Sequence, residues 1–137
     1  MAEMTQLEIN AHVIEQFRAG GPIEGMHRDR LLLLTTTGRS SGEPRTAPMM
    51  FHLDEGRPVV IASAAGAPRD PQWYDNLVAD PAVHVELADE EYDARAVVAS
   101  GDEHDRLWAD ITAAYPFFLE HLAKAGRAIP LVILDRA

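Results

Sequence analysis

The chain has 137 residues and no cysteine, the size of one domain that can bury a core unaided, so disulfides, thiolate metal sites and a cysteine nucleophile are excluded. Its formal net charge of -10 argues against nucleic-acid binding, because a phosphate backbone rewards a basic face. The charge is uneven: residues 1–25 carry one arginine against four glutamates, residues 26–53 four arginines against two acids, and residues 54–137 seven basic against sixteen acidic side chains. Only the middle stretch is net positive.

The opening residues, MAEMTQLEINAHVIEQF, are acidic and amphipathic, so no signal peptide is expected. No apolar run approaches the roughly 20 residues of a membrane span. A cytoplasmic protein is the default expectation, with room for peripheral membrane contact alone. Leu7, Ile9, Val13, Ile14 and Phe17 recur at near-helical spacing and predict a helix over about residues 5–18, broken by Gly-Gly-Pro at 20–22. RLLLLTTT, from Arg30 to Thr37, predicts a buried strand. Arg45–Leu53 and Pro58–Ser63 follow as strands, joined by the turn DEGR, and the three form an antiparallel meander.

Across the junction of the first two strands runs TTTGRSSGEPRTAPMM, residues 35–50. Gly38, Gly42 and Pro44 suffice for a tight turn. Arg39, Ser40, Ser41, Arg45 and Thr46 are left over as donors able to converge on one oxyanion, and the residues alone leave turn and anion site both open.

Asp70 before Pro71 has the cap and first-turn chemistry of a short helix ending before Pro81, with Trp73 and Asn76 one turn apart. Ala82–Leu87 and Tyr92–Ala99 alternate around the acidic turn ADEE and predict a second hairpin. A helix over Gly101–Tyr115 is interrupted by Pro116, residues 117–126 continue as helix, and IPLVIL at 129–134 predicts a terminal strand. This order predicts a mainly β, antiparallel barrel with peripheral helices, in a single domain over residues 1–137.

Other chemistries find little support. The six histidines include no HxxxH or HExxH pair, so no metal site is expected. GxxxxGK[ST] is missing, which excludes a Walker loop, and Ser40 and Ser41 sit in a turn, where hydroxyls are common. The aromatic set Tyr115, Phe117 and Phe118 reads as helix core or as the wall of a flat pocket.

Taken in order and spacing, TTTGRSSGEPRTAPM, IASAAGAPRDPQWYDNLVADPAV, AAYPFF and IPLVIL resemble the deazaflavin-dependent nitroreductase family, whose members use coenzyme F420 and include F420H2-dependent quinone reductases. The resemblance runs from about Phe17 to near the C-terminus. It implies a split β-barrel, of the type also found in FMN-binding proteins. Reduced F420 would pass a hydride to a flat acceptor, namely a quinone, an enone or a nitroaromatic. Arg39, Ser40, Ser41 and Arg45 would hold the cofactor's phosphate and acidic tail, and Thr46, Ala47, Pro48, Met49 and Met50 would pass beneath its ring. Ile61, Ala62, Ser63 and Ala64 would form the opposing strand end, and Gln72, Trp73, Tyr74, Asp75 and Asn76 the helix that closes the groove. Phe17, Met50, Tyr115 and Phe118 would border the substrate, with Ser63 and Tyr115 the candidate proton donors.

The chain has Ser40 and Ala64 where many members carry lysine, which implies a weaker grip on the tail or a compensating role for Arg69 or Arg28. Relatives that reduce bulky nitroimidazoles have tyrosines where this chain has Met50, Phe118 and His121. The alternatives carried forward are an FMN-dependent reductase on the same barrel and a non-catalytic F420-binding protein. The partners expected are a small-molecule substrate and, since such barrels often dimerise, either none or a second copy.

Overall fold

The computed structural model describes residues 6–20 and 30–137. Its elements in chain order are α1 (Gln6–Ala19), β1 (Leu31–Thr37), β2 (Pro44–Asp54), β3 (Arg57–Ile61), α2 (Gln72–Ala79), β4 (Ala82–Glu86), β5 (Glu91–Val98), α3 (Gly101–Ala114), α4 (Phe117–Ala125) and β6 (Leu131–Arg136), with a short 3₁₀ turn at Ala64–Gly66. The strands close into a barrel in the order β1-β2-β3-β6-β5-β4, every neighbouring pair antiparallel. The expected mainly β, antiparallel barrel with peripheral helices is what forms. No described helix is long and apolar enough to cross a membrane.

Side-chain alternation explains why some strands read as unbroken apolar runs. In β1, Leu32 and Leu34 enter the barrel beside Val60, Val83 and Val85, while Leu31 and Leu33 pack outward on Val13 and Phe17 of α1. In β3 and β6, Val60, Val132 and Leu134 point in, and Val59, Ile61, Leu131 and Ile133 meet Leu107, Ile111 and Phe118 of α3 and α4. A strand covered on both faces has no place for a polar residue. In β5 one face meets water, so buried Ala94 and Ala96 alternate with exposed Asp93, Arg95 and Val97.

β2 is paired unevenly. All of Pro44–Met50 lies against β1, but β3 pairs only with Phe51–Asp54. Among the described residues no strand pairs with the other edge of Pro44–Met50. Pro44 and Pro48 fall in this half, where an absent N–H costs least. At the far end, Glu55 and Gly56 both have positive φ (52° and 80°), the two-residue loop that matches strand twist. There Asp54 is buried and accepts two hydrogen bonds from Arg106 of α3 (2.9 and 3.0 Å) and one from Arg57 (3.2 Å). Bonding to Arg106 above all, and then to Arg57, holds the Asp54 carboxyl below the usual range.

Boundaries differ from the sequence reading in instructive ways. The third strand ends at Ile61, not Ser63, because Ser63 is in the right-handed helical region and Ala64, Ala65 and Gly66 have φ of 48°, 54° and 85°. Asp70 does not cap α2: the cap position is Pro71 and the helix starts at Gln72, while the Asp70 carboxylate accepts a 2.7 Å bond from Arg127. The last strand begins at Leu131, one residue after Pro130, whose carbonyl accepts the Ala62 N–H at 3.0 Å. Of the predicted break at 20–22, Gly21 and Pro22 lie outside the described residues, as does Arg28.

Candidate functional site

The β1–β2 loop is held shut from within. Gly38 N–H donates to Glu43 O (2.8 Å), Gly42 N–H donates to Gly38 O (2.8 Å), and Glu43 N–H donates to the Ser41 hydroxyl (3.2 Å). A Cβ on Gly38 would come within 2.6 Å of Ser41 Oγ and 3.2 Å of Glu43 O, so the compact loop needs glycine there. Gly42 has φ of 73°, the left-handed region that glycine enters without penalty.

Against this loop stands the first part of α2. Asn76 is buried, its Oδ1 accepts from both the main-chain N–H (3.2 Å) and Nη1 (2.9 Å) of Arg39, and its Nδ2 donates to the buried Thr36 hydroxyl (3.2 Å). Asn76 thus ties α2 to β1 and fixes the base of the Arg39 side chain. Between loop and helix opens a cleft of about 140 Å³ lined by Gly38, Arg39, Ser40, Ser41, Arg45, Gln72 and Asn76.

Two features suit the cleft to an anion in chemical terms. Its polar side chains are almost all donors, and its two arginines are loosely compensated. Arg39 has Asp75 at 3.9 Å and Arg45 has Glu43 at 3.8 Å, all four side chains 40–70% exposed. Arg45 also reaches the Ser41 hydroxyl, at 3.5 Å. Guanidinium donors left partly free in a cleft suit a phosphate or carboxylate.

The other residues named from sequence are placed as follows. Thr46 shares a 2.8 Å hydrogen bond with Thr35 across the hairpin. Ala47 is the register partner of inward-facing Leu34, and Met49 packs on the barrel interior, while Pro48 and Met50 pair with outward-facing Leu33 and Leu31. Ile61 and Ala62 are buried, Ala64 is exposed, and Ser63 is buried with its hydroxyl 3.2 Å from His121 Nδ1. Trp73 and Tyr74 pack against the barrel interior, and burial, then Asp70 and Asp75, push the Tyr74 phenol up, so it stays protonated at neutral pH. Tyr115, Phe117, Phe118 and His121 form one aromatic cluster, with Phe117 and Phe118 centroids 4.4 Å apart. Phe17 sits in a separate cluster with Val13, Leu31 and Leu33, and Arg30, next to Leu31, lies 5.9 Å from the Tyr115 ring centre. The Arg69 carbonyl accepts a hydrogen bond from Arg127 (3.0 Å), and its side chain is exposed.

Sequence reasoning passed over Arg127, and named His121 only as a position where some relatives carry tyrosine. Arg127 donates to the carbonyls of Ala62, Ser63, Ala67 and Arg69 and to the Asp70 carboxylate. A lone arginine after a helix-ending glycine carries no local signal, because its acceptors lie about sixty residues earlier. Among the described residues no group of acids and histidines could hold a metal.

Known proteins resemble this chain over nearly its whole length. A family model described as F420H(2)-dependent quinone reductase matches residues 7–136. Rv3178 of Mycobacterium tuberculosis, provisionally named an F420H(2)-dependent quinone reductase, is 40% identical over 103 residues, covering 75% of this chain and 87% of its own. A solved structure titled F420-H2 dependent reductase (FDR-A) is similar at TM-score 0.71 and 35% identity, over 81% of this chain and 100% of that one. Another, titled a domain-swapped dimer, is similar at TM-score 0.73 and 33% identity, over 91% of this chain and 96% of that one.

Proposed function

The chain belongs to the F420H(2)-dependent quinone reductase family, and from that premise we propose that it is an oxidoreductase passing a hydride from reduced coenzyme F420 to a flat electrophile, a quinone foremost. Enones and nitroaromatics are further proposed acceptors, since each stabilises negative charge after hydride addition. One observation carries the reading: a donor-lined cleft with two loosely compensated arginines, in a chain of net charge -10. Such a site selects a small anion against a repelling background.

The residues fit the group. Arg39, Ser40, Ser41, Arg45 and Gln72 would hold the phosphate and acidic tail, and the one-sided stretch Thr46–Met50 would offer main-chain groups to the ring. Reduced F420 supplies two electrons together as a hydride, so the protein's part is orientation and exclusion of water. The half-buried Tyr115 and the buried Ser63 are the proposed proton donors, each through its hydroxyl. Ser63 has His121 beside it to share that proton. We take residues 1–137 as one cytoplasmic barrel domain, acting alone or as a homodimer.

Titration of the purified protein with oxidised F420 and, separately, with FMN tests the reading, followed by mixing with reduced F420 and menadione. F420 binding and menadione-dependent oxidation are expected. Tight FMN binding without F420 binding would turn the assignment to a flavin enzyme. F420 binding without turnover on quinones, enones or nitro compounds would leave a carrier protein.

A further inference from the structure

We infer that Arg127 is the positioning residue of the anion cleft: it sets the chain segment that carries α2 to the cleft, although it lies outside the cleft itself. This rests on the function proposed above. Residues 62–71 leave β3 and lead directly into α2, which contributes Gln72 and Asn76 to the cleft lining. The path is unusual, with Ala64, Ala65 and Gly66 successively at positive φ. Alanine in that region is disfavoured by roughly 1–2 kcal/mol, so the conformation must be imposed from outside the segment.

Arg127 is the group placed to impose it. Gly126 ends α4 in the left-handed region (φ 64°), and the next side chain is only 16% exposed. Its Nε donates to Ala67 O (3.1 Å), its Nη1 to Asp70 Oδ1 (2.7 Å), and its Nη2 to the carbonyls of Ala62 (3.2 Å), Ser63 (3.2 Å) and Arg69 (3.0 Å). One further contact, to Ala128 O at 3.3 Å, is local. The fork therefore bonds both ends and the middle of one segment, from the residue after β3 to the residue before the cap of α2. From there the chain of bonds continues through Asn76 to Arg39. A lysine could not replace it, having three donors on one atom and no planar fork.

The same segment is held separately on its α4 side. His121 meets Ser63, and Gly66 packs so closely on α4 that a Cβ would stand 3.3 Å from His121 O and 2.9 Å from the Lys124 side chain. Loss of Arg127 should therefore release the approach to α2 and leave the barrel folded.

The experiment compares Arg127→Met and Arg127→Lys with the native protein. Arg127→Met is expected to raise the Kd for oxidised F420 and the KM for reduced F420 by about tenfold or more, with kcat at saturating F420 and menadione within about twofold. Arg127→Lys should fall between. Amide exchange gives a readout that does not need the cofactor: Gln72–Asn76, Gly38 and Arg39 should exchange faster in Arg127→Met, and the β5–β6 ladder should not. A folded Arg127→Met protein with native Kd, KM and exchange would overturn the inference. Should that variant not fold, Asp70→Asn decides instead, with a raised Kd and faster exchange in α2 expected and native values fatal. If the native protein binds no F420, the functional reading falls, while exchange in Arg127→Met still decides the positioning role.

Discussion

The two ends of β2 use arginine in opposite ways. At Asp54, Arg57 and Arg106 approach one buried carboxylate to 2.9–3.2 Å. At the other end, Arg39 and Arg45 keep their acids at 3.8–3.9 Å and half their surface in water. The first arrangement spends its charge internally and pins α3 to a hairpin; the second leaves charge for something that the chain itself does not provide. Paired distance, more than arginine content, separates the structural cluster from the proposed binding one here.

The contrast can be broken most forcefully by removing both free arginines. Arg39→Ala and Arg45→Ala should each weaken F420 binding by roughly 1–3 kcal/mol, and the double variant by about a hundredfold or more. Neither should lower Tm appreciably, since exposed pairs contribute little. Unchanged affinity in the double variant would place the phosphate elsewhere. Next in size is Asn76→Ala, which leaves the buried Thr36 hydroxyl without its partner and Arg39 unanchored. Roughly 1–3 kcal/mol of stability should go, together with part of the affinity, as read by denaturant melts and titration.

The opposite end sharpens the contrast. Arg106→Met should lower Tm more than Arg39→Ala does and leave F420 affinity intact. The Asp54 carboxyl is depressed in the fold, so its contribution is present above the unfolded value near 3.8 and is lost as pH falls through the lower folded value. Melts of Asp54→Asn and the native protein should therefore differ at neutral pH and converge in acid. Smallest is the half-buried His84, raised above 6.5 by its hydrogen bonds to Glu91 and then Asp93. Its slight contribution is complete below 6.5 and fades as pH rises through the raised value, a slope that His84→Gln should abolish.

Much of this was legible in the sequence for physical reasons. Unbroken runs such as LLLL and PLVIL announce strands buried on both faces, and EYDARAVV announces one that is not. The local surplus of arginine over acid at residues 26–53 marks the segment that contains the cleft loop. Hidden from inspection were features that depend on distant chemistry. Asp70 looks like a cap, and would be one, but for a guanidinium that arrives 57 residues later. Ser63 looks like strand until Arg127 and α4 impose a left-handed turn on the alanines after it. From its neighbours in sequence Asn76 reads as a capping or surface asparagine, because nothing local foretells that Thr36 and Arg39 converge on it.

The prolines of β2 carry a further consequence. An unpaired strand edge normally recruits another strand, which leads to aggregation or to exchange of segments between copies. In β2 the unpaired half contains Pro44 and Pro48, neither of which has an N–H to offer an incoming backbone. A small ligand can use the isolated groups between them, whereas a continuous ladder cannot form. The edge is thereby left open to a small ligand and closed to a chain.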